Sequence, residues 1–484
     1  MRPRSKIVLA TANARYSHCA FGLRRLAAVL RARGYTPGIM EFTIQQSPFE
    51  IVESLLAGEP DVVGLGVYIW NVEIMRRVVH ILNAVSPGTT LVLGGPEIQG
   101  NVSEQDSFAG ADYFVKGEGE EAICELVECL DSGGGPGKRT ISAVPAALGE
   151  LASPYDLYSI EDIDNRIIYV ESSRGCPYRC SFCLSSVDSG VRYFPLDAFL
   201  DSMEMLLKKG VRLFKFTDRT FNIHRERMLH ILDFFLGRVK PGLQLHFELM
   251  PDHLDDTVVE QMALFPAGAL HLEVGVQSFS PEVQRRIGRY QDIGRSMDII
   301  RRLRNETGAV LHADLIVGLP GDRVEGLAAG FDALVKAEVQ EIQVGLLKRL
   351  EGSPLAVDSD ESLVFDVFPP YEVLRTSTFE FGEIQALKRF ARYFDMYYNS
   401  GNFPQSLPMC WENHSSPFRV LNDLSTRIWE AEHRVHGIPL ARLAEHLFEY
   451  LCSLDKHHRE DIAARIEGDF RRLPGRLDKL GFLQ

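Results

Sequence analysis

The chain has 484 residues, of which 45% are apolar and 24% charged, and a formal net charge of −14. That length exceeds what one hydrophobic core organises, so two or three domains are expected, and the composition excludes disorder and collagen-like structure. The acidic balance argues against a general polyanion binder, and nucleic acid is not the expected partner.

The basic start is followed by an apolar run only over residues 7–10, too short for a secretory signal, and no run reaches the length of a membrane span. A cytoplasmic location is expected. Eight cysteines in a chain this long do not form a disulfide framework, so clustered ones read as metal ligands. Cys19, Cys124, Cys129, Cys410 and Cys452 lack ligand spacing and read as small buried hydrophobes.

Five strands are expected at 7–11, 38–42, 62–67, 90–94 and 112–116, with amphipathic helices between them, such as the stripes Leu23, Leu26, Ala27, Leu30 and Val72, Met75, Val79, Leu82. Five βα units predict a doubly wound, flavodoxin-like α/β layer. Ligands of such sheets settle at the carboxyl ends of the strands. Here those ends carry Tyr68, Trp70 and Asn71, then Gly94 and Gly95, then Gly117, Glu118, Gly119 and Glu120. The polar, glycine-rich stretch 131–139 reads as a linker, so the first domain is placed at 1–137.

A second alternating series is expected at 167–171, 211–216, 243–248, 270–276, 310–317 and 341–347, with helices such as 196–208 and 225–236 between strands. Six βα repeats suit a partial (β/α)6 TIM-like barrel over 155–358, with chemistry on the loops after the strands. From 359 to 484 helical spacing takes over, as in Leu440, Leu443, Leu447 and Leu451. In that helical tail, Cys410-Trp411-Glu412-Asn413-His414 reads as core packing rather than a site.

Directly after the first strand of the second series comes Ser173-Arg174-Gly175-Cys176-Pro177-Tyr178-Arg179-Cys180-Ser181-Phe182-Cys183, a CxxxCxxC run. Three thiolates hold three irons of a 4Fe-4S cubane and leave the fourth iron open. A zinc site completed by His224 or His246 is the alternative, though structural zinc sites pair one CxxC with another, and no second pair exists.

This run, with Phe182 before its last cysteine, resembles the radical S-adenosylmethionine enzymes. The resemblance extends to Phe216-Thr217-Asp218, to the strand Leu272-Glu273-Val274-Gly275-Val276-Gln277-Ser278 and to Asp314-Leu315-Ile316-Val317-Gly318-Leu319-Pro320. It implies that Cys176, Cys180 and Cys183 bind a cluster that reductively cleaves S-adenosylmethionine, producing a 5′-deoxyadenosyl radical that takes a hydrogen atom from substrate. It also implies an electron donor such as flavodoxin or ferredoxin. Thr217, Asp218, Glu248, Glu273, Gln277 and Asp314 are then candidate contacts to S-adenosylmethionine.

The α/β domain ahead of the barrel resembles the cobalamin-binding subgroup of that family, on Trp70-Asn71, Gly94-Gly95-Pro96 and Gly117-Glu118-Gly119-Glu120. The motif DxHxxG, which supplies a cobalt ligand in other cobalamin proteins, is absent after the first strand; His18 is the nearest candidate, with Tyr16 and Phe21 in place of Asp and Gly. Tyr68 or Trp70 at the lower face is the expected substitute. The tail resembles a subgroup whose C-terminal domain has no known function.

These resemblances imply a cobalamin-dependent methyltransferase acting on an unactivated centre of a small-molecule or peptide substrate. The runner-up is a cobalamin-assisted cyclisation or rearrangement without methyl transfer. A methylthiolating enzyme would need three further cluster cysteines, and Cys124 and Cys129 fall on one helix with only Cys19 besides. A non-catalytic cobalamin or redox sensor is the reading from a different class.

Overall fold

Residues 4–99, 108–187, 190–357, 362–412, 414–472, 475–476 and 479–483 are described by a computed structural model. Asn413 and the expected boundary at 358–359 lie outside them. The chain divides into two compact units: Met1–Glu248 with Lys348–Ser359 and Asp366–Glu372, and Leu249–Leu347 with Asp360–Phe365 and Val373–Gln484.

The first unit opens with β1 (Ile7–Asn13), α1 (Phe21–Ala32), β2 (Gly38–Thr43), α2 (Pro48–Leu56), β3 (Val62–Gly66), α3 (Val72–Val85), β4 (Thr90–Gly94), β5 (Tyr113–Lys116), α4 (Gly119–Asp131) and β6 (Thr140–Ser142). All pairings are parallel and the order is β2-β1-β3-β4-β5-β6. The first five strands follow the flavodoxin-like order, whose switch point falls between β1 and β3.

Because side chains alternate across a strand, the sheet builds two cores. Val63, Leu65, Leu91 and Leu93 pack with Ile51, Leu55, Met75, Val79 and Leu82 of α2 and α3. Ile7, Leu9, Val62, Val92 and Val115 pack with Leu23, Ala27, Leu30, Ile123 and Val127 of α1 and α4. The helical stripes read from sequence are those that face the sheet. β6 was not expected; three residues following a glycine-rich stretch give too short a period-two signal to be read as a strand.

The unit continues through α5 (Ile160–Asn165), β7 (Ile168–Val170), the hairpin β8 (Ser173–Arg174) and β9 (Arg192–Tyr193), α6 (Leu196–Lys209), β10 (Leu213–Phe216), α7 (Arg225–Leu236) and β11 (Gln244–Leu249), whose last residue opens the second unit. β7 and β11 flank β10 in parallel. Phe216 of β10 and Phe247 of β11 pack with Phe221, Phe221 and Phe247 stacked at 4.0 Å and Phe216 edge-on to Phe221.

In the second unit, α8 (Asp256–Ala263) precedes β12 (Leu270–Gln277), and α9 (Pro281–Arg286) and α10 (Ile293–Glu306) precede β13 (Val310–Val317). α11 (Val324–Lys336) leads to β14 (Glu341–Leu346). These three strands pair in parallel. On β12 and β13 buried residues alternate strictly with half-buried ones. α12 (Pro354–Val357) belongs to the first unit; β15 (Val364–Phe365) and β16 (Val373–Arg375) pair antiparallel, and α13 (Phe381–Phe394), α14 (Pro417–Glu432), α15 (Leu440–Ser453) and α16 (Arg459–Arg471) form the helical tail. Leu443, Leu447 and Leu451 are buried there, as their spacing predicts. None of the described helices is long and apolar enough to cross a membrane.

Candidate functional site

At the carboxyl ends of β1, β3, β4 and β5 lies a cavity of about 270 Å³. On the α1/α4 face, β3 and β4 end in Gly64, Gly66 and Gly94, on the same side as Val62 and Val92, so the apolar layer stops and leaves a hollow. Its walls come from Leu9, Phe21, Leu26, Tyr68 and Ile123, and its rim from Gly117, Glu118, Gly119 and Glu120. A Cβ placed on Gly94 would meet only the Val115 carbonyl oxygen at 3.8 Å, so the space beside it is a cradle that a side chain would fill. Gly95 differs: φ is +110° and a Cβ would lie 2.5 Å from the Val67 carbonyl oxygen, which leaves no residue but glycine there.

Tyr68 and Trp70 stack at 4.6 Å with an interplanar angle of 8°, Tyr68 lines the cavity, and Trp70 donates from Nε1 to the Ala12 carbonyl. Burial pushes the Tyr68 phenol up. Asn71 is committed to the fold. Its Nδ2 donates to Thr11 Oγ1, Ala12 O and Gly66 O, and its Oδ1 accepts from the Tyr68 amide, tying β1 to the end of β3. His18 does not face the cavity as a free imidazole; its Nδ1 lies 2.6 Å from the Tyr169 hydroxyl, and burial lowers its pKa.

The rim of this cavity is joined to the cysteine loop by an ion network not anticipated from sequence. Arg174, two residues before Cys176, reaches Glu118 at 2.9 Å, Glu171 at 2.9 Å and Glu120. Arg192 reaches the other oxygen of Glu118, and Arg25 of α1 reaches Glu171 at 3.0 Å. Three guanidinium groups thus face three carboxylates, and apart from Arg192 all are mostly buried. Such pairing compensates the desolvation that isolated charges would suffer. The sequence signal was Arg174 beside the motif with Glu171 three positions before it, but its partners Glu118 and Glu120 lie more than fifty positions away.

Cys176, Cys180 and Cys183 lie on the loop between β8 and β9, Cys180 buried and the others half-buried, and none of the three is in a disulfide. The loop is braced from several sides. The Cys183 amide donates to Cys180 O, Ser186 Oγ donates to Cys183 O, and the Leu355 amide donates to Ser181 O from the returning segment of the same unit. Thr220 Oγ1 lies 3.6 Å from Cys176 Sγ. Three cysteines on one braced loop suit a cluster held by three thiolates.

Among the strand-end candidates, Asp218 is 1% exposed and accepts from the Ser172 amide and from the Ser172 and Ser173 hydroxyls, at 2.9, 2.7 and 2.6 Å. Burial raises its pKa even against those donors. It braces the turn leading into the cysteine loop. Thr217 likewise donates to Val170 O through both its amide and its hydroxyl. Glu248 is half-buried on the face of β11 opposite Leu245 and Phe247.

In the second unit, Glu273 and Gln277 of β12 and Asp314 of β13 occupy the half-buried positions of their strands. Gln277 has φ +67° at a register shift, and its Oε1 is buried without a hydrogen-bond partner, an acceptor suited to an ammonium group. Burial raises the Asp314 pKa, and the carboxylate faces His312 Nε2 at 3.3 Å. Cys410 in the tail is fully buried, as the packing reading requires.

Three family descriptions match the chain: B12 binding domain over residues 7–127, radical SAM superfamily over 170–329, and protein of unknown function DUF4080 over 362–474. The anaerobic magnesium-protoporphyrin IX monomethyl ester cyclase of Rubrivivax gelatinosus is 26% identical over 62% of this chain and 59% of its own length. The cobalamin-dependent radical SAM methyltransferase TokK of Streptomyces tokunonensis is 26% identical over 61% of this chain and 48% of its own. The chain therefore spans about half to three-fifths of the length of these curated relatives. The fold is similar to that of TsrM, a radical S-adenosylmethionine methyltransferase of Kitasatospora setae solved with cobalamin and a 4Fe-4S cluster bound, at TM-score 0.63 and 17% identity over 96% of this chain and 99% of that one.

Proposed function

Since this chain belongs to the radical S-adenosylmethionine proteins that carry a B12-binding domain, here followed by a C-terminal region of unknown function, we propose that it is a methyltransferase acting on an unactivated centre of a small molecule or peptide. The observation that carries this reading is the glycine-floored cavity at the β1/β3 switch point, joined through Glu118, Glu120 and Arg174 to the loop of Cys176, Cys180 and Cys183. When bound, the cluster, S-adenosylmethionine and cobalamin supply a carbon radical and a donor methyl group.

The chain's own residues then have distinct tasks. Cys176, Cys180 and Cys183 would hold the cluster iron, and an external electron donor such as flavodoxin or ferredoxin would supply the reducing electron. Gly64, Gly66 and Gly94 let a bulky cofactor lie against the sheet without a side chain in the way, and Gly117, Glu118 and Gly119 form its rim. Tyr68 and Trp70, stacked on one another, would offer that cofactor a flat aromatic wall. Gln277 Oε1 would accept from the amine of S-adenosylmethionine, with Glu273 of the same strand as a further candidate acceptor. Thr217 and Asp218 position the loop.

Cyclisation or rearrangement without methyl transfer is the second reading, favoured by the similarity to the Rubrivivax cyclase. Anaerobic enzyme loaded with iron, sulfide and cobalamin, then given reductant and methyl-labelled S-adenosylmethionine, distinguishes the two. Methyl transfer requires S-adenosylhomocysteine as well as 5′-deoxyadenosine. Production of 5′-deoxyadenosine with no S-adenosylhomocysteine would overturn the methyltransferase reading.

A further inference from the structure

At the amino-terminal ends of β12, β13 and β14, opposite to the strand ends that carry Gln277 and the Gly318 turn, three side chains from three adjacent strands converge: His271, His312 and Glu341. One ligand atom from each lies within 4.8 Å of the other two. The geometry points to a divalent transition-metal site here, of zinc type, separate from the iron–sulfur centre and held by two imidazoles and one carboxylate.

Four features support this. First, a single oxygen, Glu341 Oε2, faces both rings, 3.7 Å from His271 Nε2 and 3.6 Å from His312 Nδ1. These separations are too long for hydrogen bonds. Two ligands on one tetrahedral ion at bond lengths of 2.0–2.1 Å lie about 3.3 Å apart, so a small inward movement seats an ion between them. Second, the other nitrogen of His312 already faces a carboxylate, Asp314 Oδ1, at 3.3 Å. A histidine with one nitrogen toward the ion and the other toward a carboxylate is the usual arrangement of a metal ligand, since the carboxylate fixes the tautomer and raises ligand basicity.

Third, the rings are held nearly edge to face at 6.0 Å, which directs both toward the same oxygen without stacking. Fourth, the site has an entry path. His312 and Glu341 line a cavity of about 760 Å³, bordered also by Arg392, Asp395 and Asn399 of the helical tail. Arg392 is paired with Asp395 at 2.9 Å, so its charge is compensated. Three protein ligands leave a position for water or a small anion from that cavity. Imidazole nitrogen with carboxylate oxygen suits zinc, iron or cobalt over magnesium or calcium.

The test uses full-length protein with its iron–sulfur cluster loaded, dialysed anaerobically against Zn²⁺ and then against metal-free buffer. About one equivalent of zinc per chain is expected beyond the cluster iron. His312→Ala and the shape-conserving Glu341→Gln should each weaken retention about tenfold or more. Cys176→Ala should retain the zinc, which separates this site from failure of the cofactor reading above. Co²⁺ in the unaltered protein should show ligand-field bands in the visible without sulfur-to-cobalt charge transfer, a readout independent of how the variants fold. Zinc absent from the loaded protein, retention unchanged in both variants, or a thiolate spectrum with Co²⁺ would each overturn the proposal.

Discussion

Gly94 and Gly95 are adjacent, yet their surroundings impose different limits. At Gly94 the added Cβ has ordinary room and the side chain extends into the cavity, so Gly94→Val should fold while excluding cofactor. Cobalamin affinity measured by equilibrium dialysis is expected to fall at least about tenfold, about 1.4 kcal/mol, with the iron content unchanged. At Gly95 the backbone of Val67 blocks any Cβ, so Gly95→Ala should destabilise the protein by about 2 kcal/mol, read as a lower denaturation midpoint. Asn71→Ala removes a fully buried amide that makes four hydrogen bonds and leaves the Tyr68 amide and the end of β1 without it; a loss of about 3 kcal/mol is expected in the same measurement.

At this scale the glycines and the cysteines were legible in the sequence because each is a residue type with few alternatives at its position. Asp218 and Asn71 were read as ligand contacts because a polar residue at a strand end is the sequence mark of both a site and a brace. What distinguishes them is the set of donors around them, Ser172 and Ser173 in one case and β1 carbonyls in the other. Spacing does not encode that.

Between elements, the stabilising contacts are largely ionic where segments distant in sequence meet. Arg174→Met would leave Glu118, Glu120 and Glu171 mostly buried with fewer counterions, and a cost of about 3 kcal/mol is expected from denaturant unfolding. In the tail, Glu432 at the end of α14 is held by Arg442 and His446 of α15, at 2.8 and 2.9 Å, and by Arg434. Those donors, Arg442 first, hold its carboxyl at about 2 against an ordinary 4.5. Folding therefore favours the ionised form. The stabilisation is full above pH 4.5 and is lost as the pH falls toward 2. Thermal melts of Glu432→Gln should lie below those of the unaltered protein at about pH 6 and converge with them toward about pH 2.

Element positions were legible to within a few residues because β-branched runs and 3.6-residue stripes repeat eleven times along the two βα series. β6 and the hairpin β8/β9 were not, being two or three residues long. The convergence of His271, His312 and Glu341 was equally hidden. Each sits at an unremarkable polar position of an alternating strand, and only the register of β12, β13 and β14 brings them together.

Across the molecule, the cavity and the cysteine loop share one compact unit, while the candidate S-adenosylmethionine contacts Glu273, Gln277 and Asp314 belong to the other. Cofactor loading should therefore be separable. Cys176→Ser is expected to lose the absorbance of the iron–sulfur cluster but keep its cobalamin affinity within about twofold, since the residues lining the cavity are untouched.

The segment that returns to the first unit has a further consequence, in the order of events during synthesis. Tyr371 donates to Glu97 Oε2 across 274 positions of chain, and Leu355 supports Ser181 between two of the cluster cysteines. A ribosome that has finished β11 must add about 120 residues more before Tyr371 exists, roughly 6–25 s at 5–20 residues per second. Through that interval the nascent α/β layer carries the Glu97 carboxyl, whose pKa burial raises in the finished fold, without its phenol partner. The cysteine loop meanwhile lacks the Leu355 amide that supports Ser181 in the finished fold.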